Sequence, residues 1–539
     1  MNRATRPRRH PPGIACRLGW LIPVVLVCAG VRFPSIAGAA SCRPTITDPS
    51  VVVPQPPGVP KPALGVQVVD PTYSTCYMRI SDAGILGYDH PVPTYSQLQA
   101  WNADQSKIML VSGDLLNADY TYYKKVSVGN FRWSPIYPNI GYYSQGSSFV
   151  QVDISAGPSG TESTVHTFSE YPGGLERGNE QEDLSRDGRF VVLEGYRTAL
   201  QRDTISVRVS ATNGSATLTS QGGFVDVLTR MPVYSSVGGI TSGTRVQSIN
   251  NASSLTMDHP FSGATGSYTF AFGASEAFVF DILSNRKGTT IPGWSGFGLC
   301  GGLDDMLMSP SGRYALLHWG SGGSGSTCNL QAYDTSMVHL GEVSFGRGHF
   351  DLTVDEVGVE WCVQYTADAT DGITGAYIAK YRLPDGFDRY KAGDLTAAVK
   401  LTDWPYNAGG GHISGRAFGK GFVVASADYP PSGAPRAPYT NELVKIYLDS
   451  RIASEGTPHV ERLVNHRSDE AWVASQPNST CPMSSYWAQP HATVSRDGTK
   501  LLFGSTWGQN CTAETYALEL GAAVADTIPP APTRNLQAR

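Results

Sequence analysis

Apolar runs of four or five residues recur along the chain, and each follows a polar turn that ends in glycine. Ser185-Arg-Asp-Gly188 leads into Arg-Phe-Val-Val-Leu193, Ser309-Pro-Ser-Gly312 into Arg-Tyr-Ala-Leu-Leu317, and Ser495-Arg-Asp-Gly498 into Thr-Lys-Leu-Leu-Phe503. Asp caps such a turn and Gly accepts its positive φ. An unbroken short apolar run predicts a strand covered on both faces. Further copies are Asn102–Val111, with Gln105 in the glycine place, and Arg132-Trp-Ser-Pro135 before Asn139–Tyr143. Asp355-Glu-Val-Gly358 and Phe418-Gly-Lys-Gly421 lead into two more. Phe149–Ile154, Phe278–Ile282 and Leu443–Tyr447 alternate more and read as outer strands. Recurrence at blade length predicts an all-β fold, a single β-propeller of seven blades, with eight as the alternative. The 124 residues between the Ser185 and Ser309 copies leave room for one further unit near Thr269-Phe-Ala-Phe272, plus an insertion.

The first 40 residues change the picture from a bare fold to an exported one. Arg3, Arg6, Arg8, Arg9 and Arg17 precede an apolar core from Leu18 to Val31, and Ala37-Gly-Ala-Ala40 offers a cleavage site. That core is shorter than the roughly 20 residues a membrane span needs. Without the six arginines of this segment, 35 basic residues face 46 acidic ones, a net charge of −11. Such a balance argues against nucleic acid and anionic membrane surfaces as partners. It leaves a glycan or an extracellular protein, bound by a monomer that is secreted, periplasmic or held at the cell surface.

Cysteine usage agrees with export. Seven cysteines follow residue 40, with no Cys-x-x-Cys pair, so disulfides are favoured over a metal site. Neighbour pairing joins Cys42 to Cys76, Cys300 to Cys328 and Cys481 to Cys511, one of 15 possible connectivities for six cysteines. Cys362 is left free, within an apolar run. The expected organisation is a signal at 1–40, a Pro-rich strap at 41–75 and the propeller at 76–524.

The repeats resemble those of propellers of the TolB type and of the wider Ser-Pro-Asp-Gly class. The tail 525–539, Asp526-Thr-Ile-Pro-Pro-Ala-Pro onward, resembles the linker and first strand of a fibronectin type III domain. Both resemblances imply architecture and no activity.

Chemistry is expected where inner strands begin, since ligands commonly bind at one mouth of a propeller channel. Four and six places before each turn stand Gln489 and His491, His412 and Ser414, His349 and Asp351, Asp305 with Asp304 beside it, and Asn179 and Gln181. Residues two apart on a strand share a face. Converging imidazole, amide and carboxylate groups suit a divalent metal, manganese or calcium. The candidate metal ligands are therefore His349, His412, Gln489 and His491. The candidate ligand-binding residues are Asn179, Gln181, Asp305 and Asp351. Oligogalacturonate lyases resemble this chain in offering histidines and a glutamine from their last units to manganese. That resemblance implies β-elimination on uronate glycans, with His412, Arg416 and Arg347 as candidate catalytic groups. Two function classes stay open: a secreted propeller that binds glycan or protein at its mouth, and a metal-dependent polysaccharide lyase. A ring of hydrogen-bonded polar groups that only ties blades together is the structural alternative.

Overall fold

The computed structural model describes residues 42–55, 58–177, 183–294, 302–319, 330–344, 349–366, 375–383, 398–427, 435–449 and 459–521. Almost every element is a strand, and the strands form eight antiparallel sheets among the described residues. Seven sheets follow one another along the chain, and the eighth is inserted within the third. The inner strands of sheets two to seven are Arg132–Trp133, Leu175–Arg177, Leu303–Met308, Phe350–Val354, Gly411–Ser414 and Thr493–Val494. In sheet one, Trp101 takes this place through a bridge to Ile108. The fold is a β-propeller.

The second strands explain why the apolar runs do not alternate. In Phe190–Tyr196, Val191 and Leu193 pack with Tyr142 and Phe149 of sheet two, while Val192 packs with Met306 and Leu317 of sheet four. In Lys500–Ser505, Leu501 and Phe503 face sheet six, and Leu502 joins Trp101, Ile108 and Leu116 of sheet one. Both faces are covered, so neither can be polar. The last of these clusters joins sheet seven to sheet one and closes the ring.

The two ends of the chain also close the ring, by strand pairing within one sheet. Sheet seven takes Thr493–Val494, Lys500–Ser505 and Glu514–Glu519 from the end of the chain. It then takes Cys76–Arg79 and Gln67–Val69 from the beginning. The segment before them is strapped on: Arg462 donates to Val51 O at 2.6 Å, Arg436 to Val53 O at 3.0 Å and Trp507 to Val59 O at 2.9 Å.

The turns behave as their residues dictate. Ser185 Oγ accepts from the Phe190 amide at 2.9 Å and donates to Asp187 at 2.6 Å, and Ser495 repeats both contacts with Lys500 and Asp497 at 2.9 and 2.7 Å. Gly188, Gly312 and Gly498 lie at φ of 69°, 72° and 73°. Gln105 takes φ 60° in the same place, a conformation that is uncommon for a residue with a side chain.

The expectation of a further unit near Thr269–Phe272 is corrected. Gly266–Gly273 belongs to the inserted six-stranded sheet, with Thr204–Ala211, Thr217–Thr219, Val233–Ser235, Val246–Asn251 and Ser254–Met257. That sheet buries its own core of Phe224, Leu255, Phe261, Phe270 and Phe272. The chain leaves sheet three after Tyr196 and returns at Ser275, which is its register partner.

Disulfides join Cys42 to Cys76 and Cys481 to Cys511. Cys362 is free and fully buried on the second strand of sheet five. Cys300 and Cys328 lie outside the described residues, as do the segments at 1–40 and 525–539. Among the described residues, no helix is long and apolar enough to cross a membrane.

Candidate functional site

Inner strands of three sheets bring three imidazoles together at one end of the ring. His349 immediately precedes the inner strand of sheet five, His412 lies on that of sheet six, and His491 precedes that of sheet seven. The His349 and His412 ring centroids are 4.0 Å apart, and those of His412 and His491 are 5.1 Å apart. His349 is exposed, whereas His412 and His491 are buried. His491 sits at φ 41°. Strained backbone at a non-glycine residue persists where the surroundings hold it, and such positions gather at functional sites.

Tyr95 stands among the three rings. Its hydroxyl is 3.1 Å from His349 Nδ1, and its ring lies edge-on to His412 and His491 at 5.0 and 5.3 Å. The buried segment around it crosses the inner ends of two sheets. Gln97 donates to Phe350 O in sheet five, and Thr493 of sheet seven donates to Leu98 O at 2.7 Å. The offset rule applied to Asn102 points to Ser96 and Leu98 instead. A turn that closes with the Leu98 amide on Tyr95 O at 3.2 Å interrupts the two-residue period there, and this is why Tyr95 escapes the sequence pattern.

A cap lies over His491. The helix Glu470–Ser475 starts on Asp469, whose side chain accepts from the Trp472 amide at 2.9 Å. The 3-10 turn Ser485–Ala488 follows, and both pack around Val92, Cys481 and Met483. From this cap Tyr486 and Trp487 reach the His491 ring at 4.5 and 5.7 Å. Gln489 is held between the cap and the hub: its Nε2 donates to Glu470 at 3.0 Å, and its Oε1 lies 3.4 Å from His491 Nε2.

Three further candidates, Asp351, Arg416 and Asp305, are engaged with other groups of the protein. Asp351 and Arg416 are engaged with each other inside the ring. Arg416 Nε donates to Asp351 Oδ2 at 2.9 Å, and the Gly415 and Leu352 amides donate to the same carboxylate at 2.6 and 2.7 Å. Both residues are buried, so Arg416 ties sheets five and six instead of facing the mouth. Asp305 pairs with His318 at 3.1 Å, with Asp304 at 3.7 Å from the same nitrogen. Burial alone would lower the His318 pKa, but the hydrogen bond and charge of Asp305 outweigh it and hold it above its ordinary value. Among the described residues, Asp304, Asp305 and His318 form the one group of three His, Cys or acidic donors that come within 4.8 Å of one another. The three hub imidazoles do not form such a group, although the His349 and His412 rings lie 4.0 Å apart. Asn179, Gln181 and Arg347 lie outside the described residues.

No protein-family description matches the chain, and no curated protein matches it. Among solved structures it is similar to an oligogalacturonate lyase in complex with manganese, at 11% identity and a TM-score of 0.48. That alignment covers 85% of this chain and 96% of the other. An oligogalacturonate lyase from Vibrio parahaemolyticus aligns over the same shares at 11% identity and a TM-score of 0.49. Dihydro-heme d1 dehydrogenase NirN aligns over 77% of this chain and 72% of its own at 12% identity and a TM-score of 0.35.

Proposed function

We propose that this chain is an exported, seven-bladed propeller that acts on uronate-bearing glycans by β-elimination at the hub of His349, His412, Gln489 and His491. The observation that supports this reading is the meeting of three imidazoles from three separate sheets around one phenol. A ring that merely ties blades together needs no exposed imidazole at its rim, nor a strained His491 beneath a disulfide-bonded cap. The two disulfides suit an oxidising compartment.

The donor set suits a divalent ion. The His412 and His491 imidazoles and the Gln489 carboxamide favour a first-row metal such as manganese over calcium, which takes oxygen ligands, while His349 serves as the base. Such an ion would supply positive charge against the uronate carboxylate and so acidify the adjacent carbon. The residues of the chain do the rest. His349 is the exposed member, placed to meet substrate. With its Nδ1–H donating to the Tyr95 phenol oxygen, Nε2 keeps its lone pair for the proton next to the carboxylate. The C–H bond breaks toward His349, the neighbouring C–O bond breaks, a carbon–carbon double bond forms, and the leaving oxygen takes the proton that His349 has just accepted, which returns the imidazole to its neutral form. Tyr486 and Trp487 keep water from His491.

Binding without turnover is the second reading, favoured by the burial of His412 and His491 and by the loss of Arg416 to Asp351. Purified protein loaded with manganese and screened over uronate polysaccharides decides between them. Rising ultraviolet absorbance from unsaturated products, abolished in His349→Ala, is the expected result. A flat trace across the panel, with affinity on a glycan array, overturns the lyase reading in favour of binding.

A further inference from the structure

Between sheets five and six the chain crosses one face of the ring from its edge to its centre. Ala398–Asp403 is the outermost strand of sheet five, and Gly411–Ser414, which carries His412, is the innermost strand of sheet six. The connection 404–410 therefore runs from the rim to the hub. Trp404 anchors it: the indole is fully buried, stacks on Tyr439 with centroids 4.8 Å apart and donates to Gly409 O at 3.0 Å. Asn407 donates to Pro435 O at 2.8 Å. The Ala408 and Gly409 amides close a 3-10 turn on Pro405 O and Tyr406 O at 2.8 and 3.2 Å.

Tyr406, on this turn, is 70% exposed, the most exposed aromatic side chain among the described residues. A lone exposed aromatic is ordinary; what distinguishes Tyr406 is the ground between it and the hub. Gly409, Gly410 and Gly411 separate it from His412. Gly409 lies at φ 97° and ψ 170°, a conformation reserved to glycine. Gly410 is outside the left-handed region, and nothing stands within 4 Å of the place its Cβ would take. The fold would accept a side chain there, yet the strip is bare. The Gly409 amide already touches Tyr406 O, and the backbone from Gly409 to His412 spans at most about 10 Å. Ring and hub are thus within reach of one short oligosaccharide.

We propose that Tyr406 and the bare strip 409–411 form a sugar subsite, in which Tyr406 is the platform for a pyranose ring of the same chain as the uronate held at the hub. A pyranose carries C–H bonds on its faces and hydroxyls around its edge. A phenol ring covers such a face by apolar burial and leaves the hydroxyls in water. Tyrosine has two side-chain torsions to fix, and its turn is already anchored, so little freedom is lost on binding. The glycines let the sugar chain lie against backbone between platform and hub. This subsite extends the uronate reading of the hub and rests on it. It selects chains long enough to reach from His412 to Tyr406 over the shortest uronate dimer.

Manganese-loaded protein is assayed on uronate oligosaccharides from dimer to hexamer, with Kd measured by calorimetry on the same set. Tyr406→Ala is expected to raise KM and Kd for the hexamer about 10-fold, with the dimer, kcat and melting temperature unchanged. Tyr406→Phe keeps the wild-type values. So does Tyr122→Ala, which removes an exposed tyrosine from the outermost strand of sheet one. Gly410→Leu fills the strip and weakens the hexamer by at least as much, again at unchanged melting temperature. If wild type cleaves the hexamer and Tyr406→Ala matches it at every length, the subsite falls and the lyase reading stands. If wild type binds these chains without cleaving them, the lyase reading falls, and a hexamer Kd equal in wild type and Tyr406→Ala then overturns the subsite as well. If wild type neither binds nor cleaves them, both fall.

Discussion

The carboxylate of Asp351 and the guanidinium of Arg416 are locked together beneath the imidazole hub, with Nε 2.9 Å from Oδ2. The carboxylate is fully buried, and Arg416 is 4% exposed. Removing one member strands the other charge. Arg416→Ala is expected to cost about 3–5 kcal/mol, read by chemical denaturation. A loss of activity at unchanged stability would instead return Arg416 to the mouth.

Tyr95 fixes His349 through its hydroxyl. Tyr95→Phe keeps the ring and its packing on His412 and His491 but removes the 3.1 Å contact. Product formation is expected to fall on the order of 100-fold, with metal content and melting temperature unchanged. Equal turnover in the variant would reduce Tyr95 to packing.

His318 gives a pH dependence of defined sign. Its folded pKa is raised above the ordinary 6.5. Its pairing with Asp305 therefore stabilises the fold fully below 6.5, and this contribution is lost as pH rises through the higher folded value. The stability gap between wild type and His318→Gln is expected to be widest in mild acid and to close in alkali. A gap that widens with pH contradicts the assignment.

The Cys481–Cys511 bridge closes a 30-residue span over His491. Replacing both cysteines by serine is expected to cost about 2–4 kcal/mol. Metal retained by the hub should fall with it, because Tyr486, Trp487 and Gln489 lose their anchor. Full metal content in the double variant would separate the cap from the hub.

Gly358 tests the turn chemistry without a steric term. It lies at φ 86° with nothing near a would-be Cβ, so Gly358→Ala isolates the left-handed conformation, at about 1–2 kcal/mol. Ser495→Ala removes the acceptor for the Lys500 amide and is expected to cost about 1 kcal/mol. Melting curves of the two variants check both values.

The sequence carried the turn phrase, the doubly covered strands and the three histidines because each follows from local spacing. Val191, Val192 and Leu193 announce two covered faces by themselves, and an offset from glycine finds His349, His412 and His491. Long-range pairing was not legible. Nothing local says that Arg416 meets Asp351 from the next sheet, or that Phe270 and Phe272 build a separate core. Tyr95 was hidden because a turn breaks its period.

The edge where the first strands join the last sets a demand on how this molecule is made. Arg79 and Glu514 meet across 435 positions of sequence. A ribosome delivers one long before the other, so this edge cannot pair until nearly the whole chain has been made. Contacts this remote slow folding, and a waiting strand edge invites pairing with other chains. A product that stops short of Glu519, or starts after Arg79, never becomes a wheel.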